Sequence, residues 1–190
     1  VFAALSSGAA DPTALVEALA RAGGEDRLLL WNARPEEQAV LDGTTLQGLL
    51  PVTDADRTTF GVYLNDGTGA KMDYYQTLAT GAAWCSADEA VLQYRLASTA
   101  PADAASLPGY ITGGGSFGIP LGAFRTVTTV FLPVGAELIS ASATANGSVV
   151  PAGDYEDRQV LSWTGELDPG EEATVTVRVR TPHTPLLDVR

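Results

Sequence analysis

Between residues 124 and 180, short runs rich in Val, Thr, Leu and Phe recur at close spacing, each closed by a turn signal. That rhythm fits a two-sheet antiparallel sandwich, and it leaves no room for the helices that a parallel α/β fold places between its strands. Residues 124–132 are turned by Pro133-Val134-Gly135. Residues 138–145 lead to Asn146-Gly147, the dipeptide that best tolerates two positive φ angles, which predicts a tight hairpin into residues 148–151. Residues 159–163 and 173–180 complete the set. In the last run Val175, Val177 and Val179 face one way and Thr176, Arg178 and Arg180 the other, the period of two of a half-buried strand.

The same alternation occurs earlier. Leu92, Tyr94 and Leu96 alternate with Gln93, Arg95 and Ala97, and Phe60, Val62 and Leu64 with Gly61, Tyr63 and Asn65, ahead of the turn-rich Asp66-Gly67-Thr68-Gly69. Residues 71–79 fit a helical turn or a strand equally well, and 101–122 read as loop with at most one helical turn at 102–106. At the start, Asp11-Pro12 supplies a helix cap and a first-turn proline, Leu15, Val16, Leu19 and Ala20 share a face, and Gly23-Gly24 ends the helix. A strand is expected over 27–31. A second short helix is expected from Pro35-Glu36-Glu37, with Ala39, Val40 and Leu41 as its apolar face and Gly43 as its stop.

The expected class is therefore α+β and mainly β: an antiparallel sandwich, clearest from residue 89 to 181, behind a smaller helix/strand segment. Residues 1–58 are expected to end an upstream domain, 59–182 to form the β-rich region and 183–190 a tail. At 190 residues, 45% hydrophobic and 18% charged, the chain has the balance of a globular protein, and no apolar run approaches the ~20 residues that span a bilayer. A net charge of −12 argues against nucleic acid, because counterion release needs clustered Lys and Arg. The single cysteine, Cys85, allows no internal disulfide and no CxxC pair. The chain opens at Val1 with no leader-like segment, so it is expected to be an internal piece of a longer protein whose signal or anchor lies upstream.

Leu132-Pro133-Val134-Gly135-Ala136-Glu137-Leu138, Val160-Leu161-Ser162-Trp163 and Leu167-Asp168-Pro169-Gly170-Glu171 together resemble bacterial immunoglobulin-like surface modules. These share a Leu-Pro-x-Gly turn, a Trp-bearing strand and a Leu-x-Pro-Gly-Glu turn before the last strand. Pro then Gly suits the central positions of a type II turn. A second resemblance covers more of the chain. Residues 61–75, from Gly61-Val62-Tyr63 through Lys71-Met72-Asp73-Tyr74-Tyr75, are similar to the signature of an actinobacterial family known as domain of unknown function 4012. Leu28-Leu29-Leu30-Trp31 with Pro35-Glu36-Glu37-Gln38, and Leu107-Pro108-Gly109-Tyr110-Ile111-Thr112-Gly113-Gly114-Gly115, follow the same pattern. The resemblance implies an N-terminal membrane segment and a large extracytoplasmic part at the cell envelope, of which this chain is the C-terminal portion. It carries no activity across.

The candidate ligand- or partner-binding residues are Asn65, Asp66, Lys71, Asp73, Tyr74 and Tyr75, which gather the only lysine, two carboxylates and two phenols around a glycine-rich turn. The same residues also suit a tight connection in which Lys71 pairs with Asp66 or Asp73 and the tyrosines pack inward. Gly69-Ala70-Lys71-Met72 lacks the Gly before Lys and the hydroxyl after it that a phosphate loop requires. Gly113-Gly114-Gly115-Ser116-Phe117-Gly118 spells G-x-G-x-x-G, but Ile119-Pro120 follows where a helix must meet the pyrophosphate, so it reads as a loop, free or lying over the Asn65 segment.

No catalytic residue, metal ligand or cofactor is assigned. His183, the only histidine, sits between prolines and is poorly placed to serve as a fixed general base. Cys85 is expected as a small buried hydrophobe. Asp54, Asp56 and Asp66 lack the spacing of a calcium loop, and no pair among the 23 acidic residues is marked by its surroundings as a glycosidase pair. Asn146-Gly147-Ser148 is also a glycosylation sequon, for which the hairpin is a sufficient explanation.

The expected function is a non-enzymatic binding or interaction segment of an extracytoplasmic envelope protein, engaging envelope polysaccharide or another envelope protein. Membrane contact would come only through an upstream anchor. The alternative is an accessory part of a cell-wall glycan transferase or hydrolase, with Asp66, Lys71 and Asp73 lent to an active site lying mostly upstream.

Overall fold

The computed structural model describes residues 11–25, 27–48, 50, 54–145 and 147–190. The chain divides into two compact units, Val1–Leu50 and Pro51–Arg190.

In the first unit, helix α1 spans Pro12–Gly24. Asp11 caps it, its carboxylate accepting the Thr13 N–H at 2.9 Å, and Pro12 opens the first turn. Gly23 is buried against Leu46, and a Cβ there would stand 3.0 Å from Leu46 Cδ2. The expected apolar face does not become a core: Leu15, Val16 and Leu19 remain exposed. The strand expected over 27–31 is not formed. Among the described residues its apolar run has no partner strand, and the Leu30 N–H donates to the Leu46 carbonyl at 2.8 Å. The second helix, α2, is the single turn Pro35–Gln38, continued as a 3₁₀ turn over Ala39–Leu41, with Ala39 and Val40 exposed instead of forming an apolar seam.

The second unit is an antiparallel β-sandwich of immunoglobulin-like type, and it begins earlier than the alternation from residue 89 suggests. Among the described residues nine strands build it: β1 (Arg57–Asp66), β2 (Gln76–Trp84), β3 (Glu89–Ser98), β4 (Phe124–Phe131), β5 (Glu137–Ala143), β6 (Val150–Tyr155), β7 (Arg158–Leu167), β8 (Glu172–Arg180) and β9 (Leu186–Val189). One sheet has the order β6-β7-β4-β1-β9, the other β2-β3-β8-β5. Strands β6, β7, β4 and β1 reproduce the D-E-B-A order of an immunoglobulin sheet, and β5 with β8 supply C and F. The place of G beside β8 is taken by β3, reached before the core strands, while β9 pairs in parallel with β1.

The alternation read from the sequence places the core. Val175, Val177 and Val179 of β8 and Leu92, Tyr94 and Leu96 of β3 meet Phe60, Val62, Val130, Leu161 and Trp163 of the opposite sheet, all buried. Each aliphatic side chain removed from water in this way contributes roughly 1.5–3 kcal/mol before entropy is counted. Trp163 lies over Gly165 of its own strand, where a Cβ would stand 2.1 Å from the indole.

Both signature turns form, with one difference. Pro169-Gly170 occupies the central positions, Gly170 at φ +80° and the Glu171 N–H bonded to the Asp168 carbonyl at 3.0 Å. In the other turn the Ala136 N–H reaches the Pro133 carbonyl, so the central pair is Val134-Gly135 and the proline precedes it. The predicted hairpin at Asn146-Gly147 falls partly outside the described residues, since Asn146 is not among them, and the sequon shares that limit. A two-residue turn with both φ angles positive instead joins β6 to β7, at Glu156 (47°) and Asp157 (57°). The segment expected as a tail also joins the sheet: β9 pairs with β1, Arg190 N donates to the Phe60 carbonyl at 2.9 Å, and Thr184 Oγ1 accepts the Thr58 N–H.

Candidate functional site

The β1–β2 connection resolves by alternation, even where it is not a strand. Thr68 and Met72 are buried and Ala70 packs against the core, while Gly69, Lys71 and Asp73 between them face water. Thr68 anchors the turn, its Oγ1 accepting the Arg125 N–H at 2.7 Å while the Gly67 N–H donates to the Arg125 carbonyl at 2.8 Å. Met72 opens a 3₁₀ turn, Met72–Tyr75, which delivers the chain to β2. The segment that fitted a helical turn or a strand is thus one followed by the other.

The six candidates are used differently. Asn65 is exposed at the end of β1. The Asp66 carboxylate turns back on its own loop and accepts the Thr68 N–H at 2.7 Å, an Asx turn. Lys71 forms no ion pair with a described residue, so the expected pairing with Asp66 or Asp73 is not made, and Asp73 is exposed. The tyrosines part ways: Tyr75 packs against the core, whereas Tyr74 is 84% exposed and meets the Tyr75 ring edge-on at 5.3 Å.

The second glycine-rich segment lies against the first. Helix α3, the single turn Gly109–Thr112, accepts the Lys71 N–H on the Ile111 carbonyl at 2.9 Å. Gly113 backs onto Ala70, where a Cβ would come within 3.0 Å of the alanine methyl, and Gly69 backs onto the Phe117 ring, where the same atom would lie 2.8 Å from Cε2. The chain after Gly118 is extended at Ile119, so no helix start faces the glycines. Phe117 adopts φ +57°, a left-handed backbone that costs a phenylalanine roughly 1–2 kcal/mol. Two rings on this connection stand in water, Tyr110 at 79% and Phe117 at 76% exposed.

Tyr74, Tyr110 and Phe117 therefore project from two interlocked loops around the Lys71 backbone. Tyr74 is one of the six sequence candidates, whereas Tyr110 and Phe117 are not: one sits within the 107–115 stretch and the other in the glycine run that overlaps its end. The local signal for both is an aromatic residue among polar and glycine neighbours with no alternating partner, which gives it no core to enter.

Other sequence candidates go elsewhere. Asp54 is half of a buried ion pair with Arg158, so Asp54, Asp56 and Asp66 share no common site. Among the described residues no group of three or more His, Cys, Asp or Glu side chains is placed to hold a metal ion. Cys85 is exposed at the β2–β3 turn, its Sγ 3.7 Å from Arg178 Nη2, contrary to the expectation of a buried thiol, because the strand's inward position falls on Trp84. The His183 ring packs against Trp84 with centroids 4.3 Å apart and the ring planes tilted by 36°. No family model, curated protein or solved structure matches the chain.

Proposed function

We propose that this chain is a non-enzymatic binding module of an extracytoplasmic cell-envelope protein, and that it engages envelope polysaccharide or another envelope protein through the loop end of the sandwich. The observation that carries the reading is the trio Tyr74, Tyr110 and Phe117, three rings held out in water on loops locked together by buried Thr68 and Met72 and by close glycine contacts. Rings fixed in this way lose little conformational entropy on binding and offer large amphipathic surface, the features that make aromatic residues effective contact groups. The exposed Lys71 and Asp73 beside them supply polar selectivity. The envelope location rests on the resemblance of residues 61–75 and 107–115 to the actinobacterial family.

The test compares the whole chain with a Tyr74→Ala/Tyr110→Ala/Phe117→Ala variant on an array of purified envelope polysaccharides and in cross-linking to envelope proteins. Because all three rings are exposed, thermal stability should stay within about 1 kcal/mol while binding is lost. Retention of every interaction by the triple variant would remove the loop end from the function.

A further inference from the structure

Four strands end the two sheets, and three of them carry devices that prevent further pairing. Strand β6 has Pro151, Asp154 and a register shift between Pro151 and Gly153. Strand β5 begins at Glu137 and shifts register between Leu138 and Ser140. Strand β9 is four residues long and includes Asp188. Strand β2 has none of these: its nine residues, QTLATGAAW, include no proline and no charge, and they pair with β3 without a shift from Gln76–Ser98 to Trp84–Ala90.

The direction of its free groups follows from the turn. Cys85 N donates to the Glu89 carbonyl at 2.8 Å and Thr99 N to the Tyr75 carbonyl at 2.8 Å, so the odd-numbered residues of β2 bond to β3. Leu78, Thr80 and Ala82 therefore turn their N–H and C=O groups away from the sheet. No described residue takes those groups up: the returning chain places His183 on Trp84 and brings β9 of the opposite sheet close to β2, but forms no ladder with it. Leu78 lies on the core-facing side of the strand yet is 38% exposed.

We infer that β2 is a self-association edge, pairing antiparallel with β2 of a second copy about a two-fold axis at Thr80 and joining two four-stranded sheets into one. Charge selects this occupant. In a chain of net charge −12, residues 76–84 bear no charge, whereas β5, β6 and β9 each carry a carboxylate. The register is self-complementary: Thr80 meets Thr80 of the second copy, and Leu78 meets its Ala82, large against small, which covers the exposed Leu78.

Sedimentation equilibrium on the whole chain tests this, with hydrogen exchange on the same samples. A species of twice 19.7 kDa is expected, with the Leu78, Thr80 and Ala82 amides protected at high concentration and exposed on dilution. Thr80→Pro removes an N–H that has no partner among the described residues, so it should keep the β-sheet circular dichroism and weaken the dimer at least ~10-fold. Leu78→Lys, a charge at the edge, should do the same and decides the matter if the proline variant does not fold. A monomer at all concentrations, a dimer indifferent to both substitutions, or growth beyond the dimer would each overturn the inference.

Discussion

Asp54 and Arg158 form an ion pair at 3.0 Å in which the guanidinium side chain is wholly removed from solvent. Arg158 Nη1 also donates to the Thr59 and Leu132 carbonyls at 2.8 and 3.0 Å, and the second Asp54 oxygen accepts the Val134 N–H at 2.7 Å. The Asp54–Arg158 pair thus ties β1, the end of β4 and the β4–β5 turn to the chain that enters the sandwich. Asp54→Ala deprives a buried cation of its carboxylate, a loss worth about 3–5 kcal/mol, whereas Arg158→Met with Asp54→Ala should cost less than the single aspartate change. Urea denaturation of the two variants gives the comparison.

The second prediction concerns Gly165. With the Trp163 indole over it, a methyl group at 165 cannot coexist with the present rotamer, and the largest buried side chain of the sandwich must move. Gly165→Ala should destabilise by about 2–4 kcal/mol and change the tryptophan emission of the folded state, although alanine is ordinarily the milder residue in a strand. Calorimetry and fluorescence report the two effects.

How much of this was legible in sequence depended on whether the cause was local. Strands β3, β4 and β8 could be read because each buries alternate residues, Leu92-Tyr94-Leu96 and Val175-Val177-Val179 most plainly. Strand β2 was legible only as one of two alternatives over 71–79, since an exposed edge of Thr, Ala and Gly carries no apolar period. Strand β9 was hidden by Pro182 and Pro185 and by its brevity, and the 27–31 run misled because apolar residues without a partner strand do not make a ladder. At the site, Thr68, Ala70 and Met72 already alternate with Gly69, Lys71 and Asp73. What the sequence does not state is that residue 113 backs onto residue 70 and residue 117 onto residue 69, contacts made across more than forty positions.

The β6–β7 turn supplies a third prediction from the same kind of mismatch. Glu156 and Asp157 both hold positive φ, a geometry for which Asn-Gly is the favoured pair and Glu a poor one. Glu156→Asn with Asp157→Gly should raise stability by about 1 kcal/mol and leave the Gly135 N–H bond to the carbonyl of residue 157 in place. A rise in Tm checks it, and no gain would show that the flanking strands already absorb the strain.

The last prediction turns on Tyr94, which crosses the core from β3 and meets the Trp163 ring at a centroid distance of 6.5 Å. Its hydroxyl faces Thr128, close enough to ease its ionisation slightly, but the two oxygens do not reach a well-formed hydrogen bond, and neither has another partner among the described residues. Burial dominates and pushes the phenol from 10.0 up to about 12. Since the folded protein holds the proton more tightly than the unfolded chain, this contribution is complete below pH 10 and is lost as the pH rises towards 12, in all about 2–3 kcal/mol. Tyr94→Phe should leave stability at pH 7 nearly unchanged, because it removes a poorly bonded hydroxyl and keeps the ring. It should also flatten the loss of stability between pH 10 and 12, measured by denaturant titrations across that range. An equal alkaline loss in wild type and variant would place the cause in other groups.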